Sequence, residues 1–411
     1  MQIVHPRCCG LDVHKKSVVA CVLITAEDGA VQREIRTYAT MTADLLMLRD
    51  WLESLDIRAV ALESTGVFWH PLYNLLEDDA WTIILVNAQH IKAVPGRKTD
   101  VKDSEWLADL LRHGLLKASF IPPAPIRELR ELTRYRKTLV QERAAEINRL
   151  QKVLESANLK LAAVATDILG KSGRAMLEAL VQGQEDPQML STLARGRLRS
   201  KIPQLQQALH GRVKAHHRFL ISQILSHIDF LDQAIATVYL KVEECLAPFA
   251  EAVALLQTIP CVNAIAAAIL VAEIGTDMAR FPSAKHLASW AGVCPGNRQS
   301  GGKRLSGTAT KGDVWLRAIL GEIAVSIARS RGTYLHAQYQ RIARRRGKPK
   351  AVWAVAHSLI VIIYHILSTK QAYQDLGEDY FQRLEAPRLE RHHVRRLEQL
   401  GYTVTLTPRV A

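Results

Sequence analysis

Asp100 and Asp103 stand three residues apart in the stretch 99–111, TDVKDSEWLADLL, on what reads as the first turn of a helix, so both carboxylates share one face. Such a pair also marks an ordinary solvated helix start, because acids favour the first turn through the helix dipole. Two further acids change the weighting. Asp12 lies in CCGLDV, ahead of the apolar run 17–25, and Glu63 closes the apolar run 59–62 and is followed by Ser64, Thr65 and Gly66. Strand ends followed by loops are where open α/β sheets gather functional groups. Four carboxylates from three elements repel one another unless cations lie between them, so their convergence implies hard divalent ions bound through oxygen, Mg²⁺ (or Mn²⁺). Two such ions about 3.5–4 Å apart serve the displacement of phosphodiester oxygens.

A second candidate is Ser300, which precedes two glycines and lies near Arg298, Lys303, Arg304 and Lys311. A serine hydroxyl attacks phosphorus only if a base or metal accepts its proton and cations hold the phosphate oxygens. The cations are present, and no base is identifiable. Read alone, S-G-G is a common loop string that favours a turn residue over a nucleophile, and Ser306, also followed by glycine, competes with Ser300.

The composition fits a polyanionic partner. Net charge is +14 with a pI near 9.6. Residues 297–350 hold 13 Lys/Arg and 2 Asp/Glu, so 13 − 2 = +11 of that charge comes from one stretch. Within it Arg344, Arg345 and Arg346 suit backbone phosphates or a solvated helix face. The six cysteines, at 8, 9, 21, 245, 261 and 294, show no C-x-x-C spacing and mostly sit in apolar runs. They read as reduced, buried thiols of a cytoplasmic protein. The N-terminus has no signal-peptide pattern, and the apolar segment 252–274, interrupted by Gln257, Thr258, Pro260 and Asn263, reads as a core helical hairpin with no membrane role.

The elements that must position these groups follow from periodicity. Residues 1–121 alternate as α/β: strands around Asp12, 18–25 and 31–38, a helix at 42–54 with Leu45, Leu46, Leu48 and Leu52 on its apolar side, a strand at 59–63, a helix near 69–77, a strand at 82–86 and a helix at 100–115. Three consecutive strands followed by alternating strands and helices are the order of an RNase H-like (RuvC-like) domain. Pro122, Pro123 and Pro125 break the chain, and a mainly helical region spans 122–250. Ile221, Ile224, Ile228, Leu231, Ile235, Val238, Val242 and Cys245 alternate steps of three and four there, as in the seam of a coiled coil. The seam reads as a dimer contact of a coiled-coil region, with a long helix packed within its own subunit as the alternative. Residues 251–385 read as a mainly helical C-terminal domain with a helix-hairpin-helix-like element in LLQTIPCVNAIAAAILVAEIG, where Cys261 and Asn263 occupy the usual glycine places, so packing competes with phosphate contact. Residues 386–411 read as a polar tail.

Taken together the chain resembles the DEDD-type insertion-sequence transposases of the IS one-ten family, related to the Piv DNA invertase. The resemblance rests on GLDVHK, ESTG, NAQHIKAVPGRKTDVKDSEWLADLL, FPSAKHLASWAGVCPGNRQSGGKR and KGDVWLR, and covers nearly the whole chain. It implies a metal-binding tetrad of Asp12, Glu63, Asp100 and Asp103 and a serine nucleophile at Ser300. The implied enzyme cuts and rejoins double-stranded DNA through a transient phosphoserine. It would act as a dimer or tetramer, with a structured non-coding guide RNA from the same element. Three alternatives are a metal-dependent nuclease or Holliday-junction resolvase that uses the four acids and water, a site-specific DNA invertase, and a non-catalytic nucleic-acid binder.

Overall fold

The computed structural model describes residues 2–63, 66–78, 80–87, 100–296, 298–306 and 312–406. The chain divides into two compact units, Met1–Ile121 and Pro122–Ala411.

The first unit is a mixed five-stranded sheet flanked by helices. Strands β1 (Arg7–Val13), β2 (Ser17–Thr25) and β3 (Val31–Ala39) form an antiparallel meander, and β4 (Ala59–Glu63) and β5 (Thr82–Val86) add in parallel on the other side of β1, in the order β3-β2-β1-β4-β5. This arrangement is compatible with an RNase H-like fold. Strand β1 and its neighbours are buried on both faces, which is why they read as nearly unbroken apolar runs. By contrast β3 carries Arg33, Glu34 and Arg36 and is largely exposed, as an edge strand that discourages further pairing.

The period of two assigns the two faces of the sheet different neighbours. Cys9, Leu11 and Val13 of β1, with Val60 and Leu62 of β4, pack against α1 (Thr42–Ser54) and α2 (His70–Leu76) through Leu45, Leu48, Trp51, Leu52, Leu72 and Leu76. Leu46, expected on that apolar side, is exposed instead. The opposite face presents Cys8, Ala59 and Ala61, and Ala108 and Leu111 of α3 (Asp100–Arg112) lie on it.

The second unit is helical. Pro123 caps, and Pro125 opens, the 33-residue α4 (Ala124–Ser156), where the missing proline N–H costs nothing. Short helices α5 (Leu161–Val164), α6 (Lys171–Val181), α7 (Pro187–Thr192) and α8 (Ile202–Leu209) share a core with Leu150 and Leu154 at the far end of α4 and with Ile221 and Leu225 of α9 (Ala215–Leu246). The seam is met inside the chain. Helix α9 packs along α4, burying Ile221, Ile228, Leu231 and Val242, and His227 and Glu146 bond across the pair at 3.0 Å. The stripe read as a dimer contact therefore faces a helix of its own subunit.

Helices α10 (Ala250–Gln257), α11 (Ala264–Ile274), α12 (Ala284–Trp290), α13 (Val314–Arg329), α14 (Tyr334–Arg346) and α15 (Lys348–Thr369) complete the unit, with the hairpin β6 (Arg298–Ser300) and β7 (Lys303–Ser306) between α12 and α13. By length and composition α15 could cross a membrane, yet Ala351, Val355, Ala356, Leu359, Ile360 and Ile363 are buried, and it packs on α12, α13 and α14 as a core helix. The region read as a polar tail from residue 386 is mostly helical. Helix α16 (Tyr380–Gln399) sets Tyr380 and Phe381 against Tyr334 at 5.1 and 5.3 Å between ring centroids.

Candidate catalytic site

Small residues decide where the acids stand. A side chain at Gly10 would meet the Ser104 carbonyl oxygen at 2.2 Å, the Ala108 nitrogen at 2.5 Å and the Leu107 Cβ at 2.9 Å. Because Gly10 has none, and because Ala59 and Ala61 are small, α3 lies directly on the sheet. Cys8 Sγ reaches the Ala108 carbonyl at 3.4 Å across this contact. Alternation then places Asp12 two residues beyond Gly10, and Glu63 two beyond Ala61, at the end of the same face. The parallel register of β1 and β4, which pairs Leu11 with Leu62, brings Asp12 and Glu63 to matching strand ends. Asp103, one residue before the buried Ser104, completes the group from α3.

The electrostatics of Asp12 reflect these neighbours. Burial pushes the Asp12 carboxyl above the usual aspartate range; His14 draws it down, while the negative charges of Asp103 and Glu63 push it up further. His14 Nε2 lies 3.1 Å from Asp12 Oδ2. The structure thus brings together three of the four predicted acids. Asp100 is the first residue of α3, and its side chain lies outside the described residues. Among the described residues no group of three or more His, Cys, Asp or Glu side chains is close enough to hold a metal ion.

Ser300 is the last residue of β6, paired with Lys303 across a two-residue loop in which Gly301 and Gly302 have φ of +55° and +75°. Positive φ at both loop positions is the geometry of a type I′ hairpin turn and explains the two glycines. Ser300 therefore ends a strand and precedes the turn. Lys303 is exposed; the side chains of Arg298, Ser300, Arg304 and Ser306, and all of Lys311, lie outside the described residues. Arg344, Arg345 and Arg346 are exposed in the last turn of α14, where cations also suit the helix dipole. In the hairpin between α10 and α11, Cys261 adopts φ +66° in a glycine place, and Asn263 caps α11 by accepting from the Ala266 N–H at 2.8 Å. All six cysteines are free; Cys8, Cys9 and Cys21 are buried, and Cys261 is exposed, against the expectation of burial.

Sequence reasoning missed a buried network beside the hairpin. Glu273 of α11 is fully buried and takes two hydrogen bonds from Arg134 of α4, at 2.8 and 2.7 Å. Arg134 also donates to Asp313 at 3.2 Å. Burial pushes the Glu273 carboxyl up, against the downward pull of the Arg134 hydrogen bonds. The available signal was a lone acid in the apolar segment AIAAAILVAEI, which demands a cationic partner somewhere in the fold.

Residues 9–159 match the DEDD transposase family of IS110, and residues 253–340 match the transposase IS116/IS110/IS902 family. The chain belongs to the IS110 family of transposases. The first match spans Asp12, Glu63, Asp100 and Asp103, and the second spans the Ser300 hairpin. The transposase is 24% identical over 330 residues to the transposase for insertion sequence element IS1111A of Coxiella burnetii, covering 78% of this chain and 80% of that one. It is also 25% identical over 325 residues to the putative transposase y4pF/y4sB of Sinorhizobium fredii, covering 77% of this chain and 74% of that one.

Proposed function

We propose that this transposase breaks and rejoins the double-stranded DNA of a mobile insertion sequence with two separate sets of groups, the carboxylates Asp12, Glu63, Asp100 and Asp103 on an RNase H-like (RuvC-like) domain and the Ser300 hydroxyl on the β6–β7 hairpin. The observation that carries this reading is the gathering of Asp12 and Glu63 at one end of one sheet face with Asp103 of α3 beside them, where the charges of Asp103 and Glu63 raise the cost of ionising Asp12. An all-oxygen, mutually repelling donor set fits a hard divalent cation, Mg²⁺ or Mn²⁺. When bound, such ions neutralise the carboxylates and stabilise the charge that develops on phosphate oxygens.

Ser300 acts as the nucleophile. Its Oγ attacks phosphorus, the bond from phosphorus to the departing deoxyribose oxygen breaks, the serine proton passes through solvent to that oxygen to give a free strand-end hydroxyl, and a phosphoserine joins enzyme to DNA. Attack by a strand-end hydroxyl on this ester reverses the exchange, regenerates Ser300 and joins the new strand without external energy. Arg298, Lys303, Arg304 and Lys311 hold the phosphate oxygens, and Arg344, Arg345 and Arg346 bind backbone phosphates further along the duplex. The family likeness supports two further parts of the reading. A structured guide RNA would select sites by base pairing, and the working particle is a homo-oligomer, dimer or tetramer.

Trapping of a covalent protein–DNA adduct on a denaturing gel, with element-end DNA, the flanking RNA and Mg²⁺, tests the proposal. Wild type should form the adduct, and Ser300→Ala, Asp103→Ala and addition of EDTA should each abolish it. Cleavage that persists in Ser300→Ala without any adduct would replace this reading with a hydrolytic metal nuclease.

A further inference from the structure

The segment between α12 and α13, which carries the serine hairpin, is fastened where it leaves and re-enters the helical body. The Asp313 N–H reaches the Trp290 carbonyl at 3.4 Å, and a side chain at Gly312 would stand 2.3 Å from the Gly292 nitrogen. The departing and returning strands therefore touch backbone to backbone. Both oxygens of Asp313 are committed at this point. Oδ1 accepts from the Leu316 N–H at 2.7 Å and caps α13, while Oδ2 accepts from Arg134 at 3.2 Å. Arg134 is itself held by both oxygens of Glu273, and Arg130 donates to the Ala272 and Glu273 carbonyls at 3.1 and 2.6 Å. Helices α4, α11 and α13 thus converge on one fork of hydrogen bonds where the segment that carries β6–β7 re-enters the helical body.

A fully buried carboxylate is a poor way to stabilise a core, because well-packed apolar side chains commonly do as well or better. What a bidentate Arg–carboxylate pair supplies is direction, since its two parallel bonds fix the guanidinium plane. Here Nη2, which bonds Glu273 Oε2, also donates to Asp313 Oδ2. We infer that Arg134, Glu273 and Asp313 form a positioning relay that sets the root of the β6–β7 hairpin, and through it the attack geometry of Ser300. The inference rests on the proposed role of Ser300 as nucleophile. None of the three residues touches DNA or the reacting atoms in this account.

Asp313→Asn is the informative variant. Asparagine caps helices as well as aspartate does, so α13 keeps its N-cap while the charged bond to Arg134 is lost. With a preformed complex at saturating DNA, adduct formation should slow by about tenfold to a hundredfold, the range expected when a reacting group is misplaced by about 1 Å. DNA affinity should stay within about twofold of wild type, because the loss lies in the chemical step. Arg134→Lys, which keeps the charge and loses the fork, should slow the reaction in the same way. Hydrogen exchange should rise in residues 298–306 of Asp313→Asn and stay unchanged in α11 and α15. Where Ser300→Ala abolishes the adduct, a wild-type rate of adduct formation in Asp313→Asn overturns the inference, whatever the exchange shows. Ser300→Ala, run in parallel, separates the two claims. An adduct that survives in Ser300→Ala refutes the serine reading, and hydrogen exchange at 298–306 in Asp313→Asn then decides alone whether the relay anchors the hairpin.

Discussion

Replacing Gly10 with alanine adds one methyl group at the contact on which the acid site depends. The new Cβ would lie 2.2 Å from the Ser104 carbonyl oxygen and 2.5 Å from the Ala108 nitrogen, both backbone atoms, against an ordinary contact of at least 3.4 Å. Helix α3 must therefore retreat from β1 by about 1.2 Å, the difference between 3.4 and 2.2 Å. Overpacking of this kind costs about 1–3 kcal/mol. Alanine also restricts the unfolded chain, which favours folding by about 0.4–1 kcal/mol, so strain wins and the net effect is destabilising. Asp103 rides on α3 and retreats with it, while Asp12 and Glu63 stay on the sheet. Urea unfolding should show a lower midpoint for Gly10→Ala with an unchanged slope, and adduct formation should fall by about a hundredfold even under conditions where the variant is fully folded. Wild-type stability together with a wild-type rate would refute the idea that close approach of α3 to β1 builds the site.

The thiols should react in an order set by burial. With Ellman's reagent at pH 8, exposed Cys261 reacts in the native protein, whereas Cys8 and Cys21, pushed up to about 12 by burial, react only after unfolding; fast native labelling of either would contradict the packing of α3 on the sheet. Cys261→Gly removes a side chain from a left-handed backbone position, φ +66°, and should raise stability by about 1 kcal/mol in a denaturant titration; a loss of stability would show that the side chain contributes more than its strain costs. Ile228→Ala, at a position 1% exposed in the α4–α9 contact, should cost about 2–5 kcal/mol and leave the light-scattering mass unchanged. A change of mass at full stability would instead place this seam between subunits.

The strands at 59–63 and 82–86 were legible to the residue because each is a short apolar run bounded by polar or turn residues. Asp12 and Glu63 were legible for the same reason, since each lies at or beside the end of a strand, and Asp103 because it falls in the first turn of α3. What periodicity does not carry is the identity of the facing partner. The seam through Ile221, Ile228 and Leu231 is equally regular whether it meets another chain or, as here, α4. Helix α16 went unread because Pro387 falls inside it, and a proline within a charged stretch reads as a stop. The Arg134–Glu273–Asp313 relay joins residues 139 and 179 positions apart, a separation at which sequence offers only the anomaly of one acid in an apolar helix. The small-residue face of Gly10, Ala59, Ala61 and Ala108 was visible as letters, but its meaning depends on which helix covers it.

Helix α4 has a consequence of length. Its 33 residues make a straight rod of about 50 Å at 1.5 Å per residue, with Arg130 and Arg134 near one end and Leu150 and Leu154 in the α5–α8 core at the other. From Arg134 to Leu154 is about 30 Å, which is close to nine base pairs of duplex at about 3.4 Å each. The rod is thus a ruler. A kink anywhere between Arg134 and Leu154 would therefore change the separation of the Arg134 fork from the short-helix core, which an unbroken helix holds fixed.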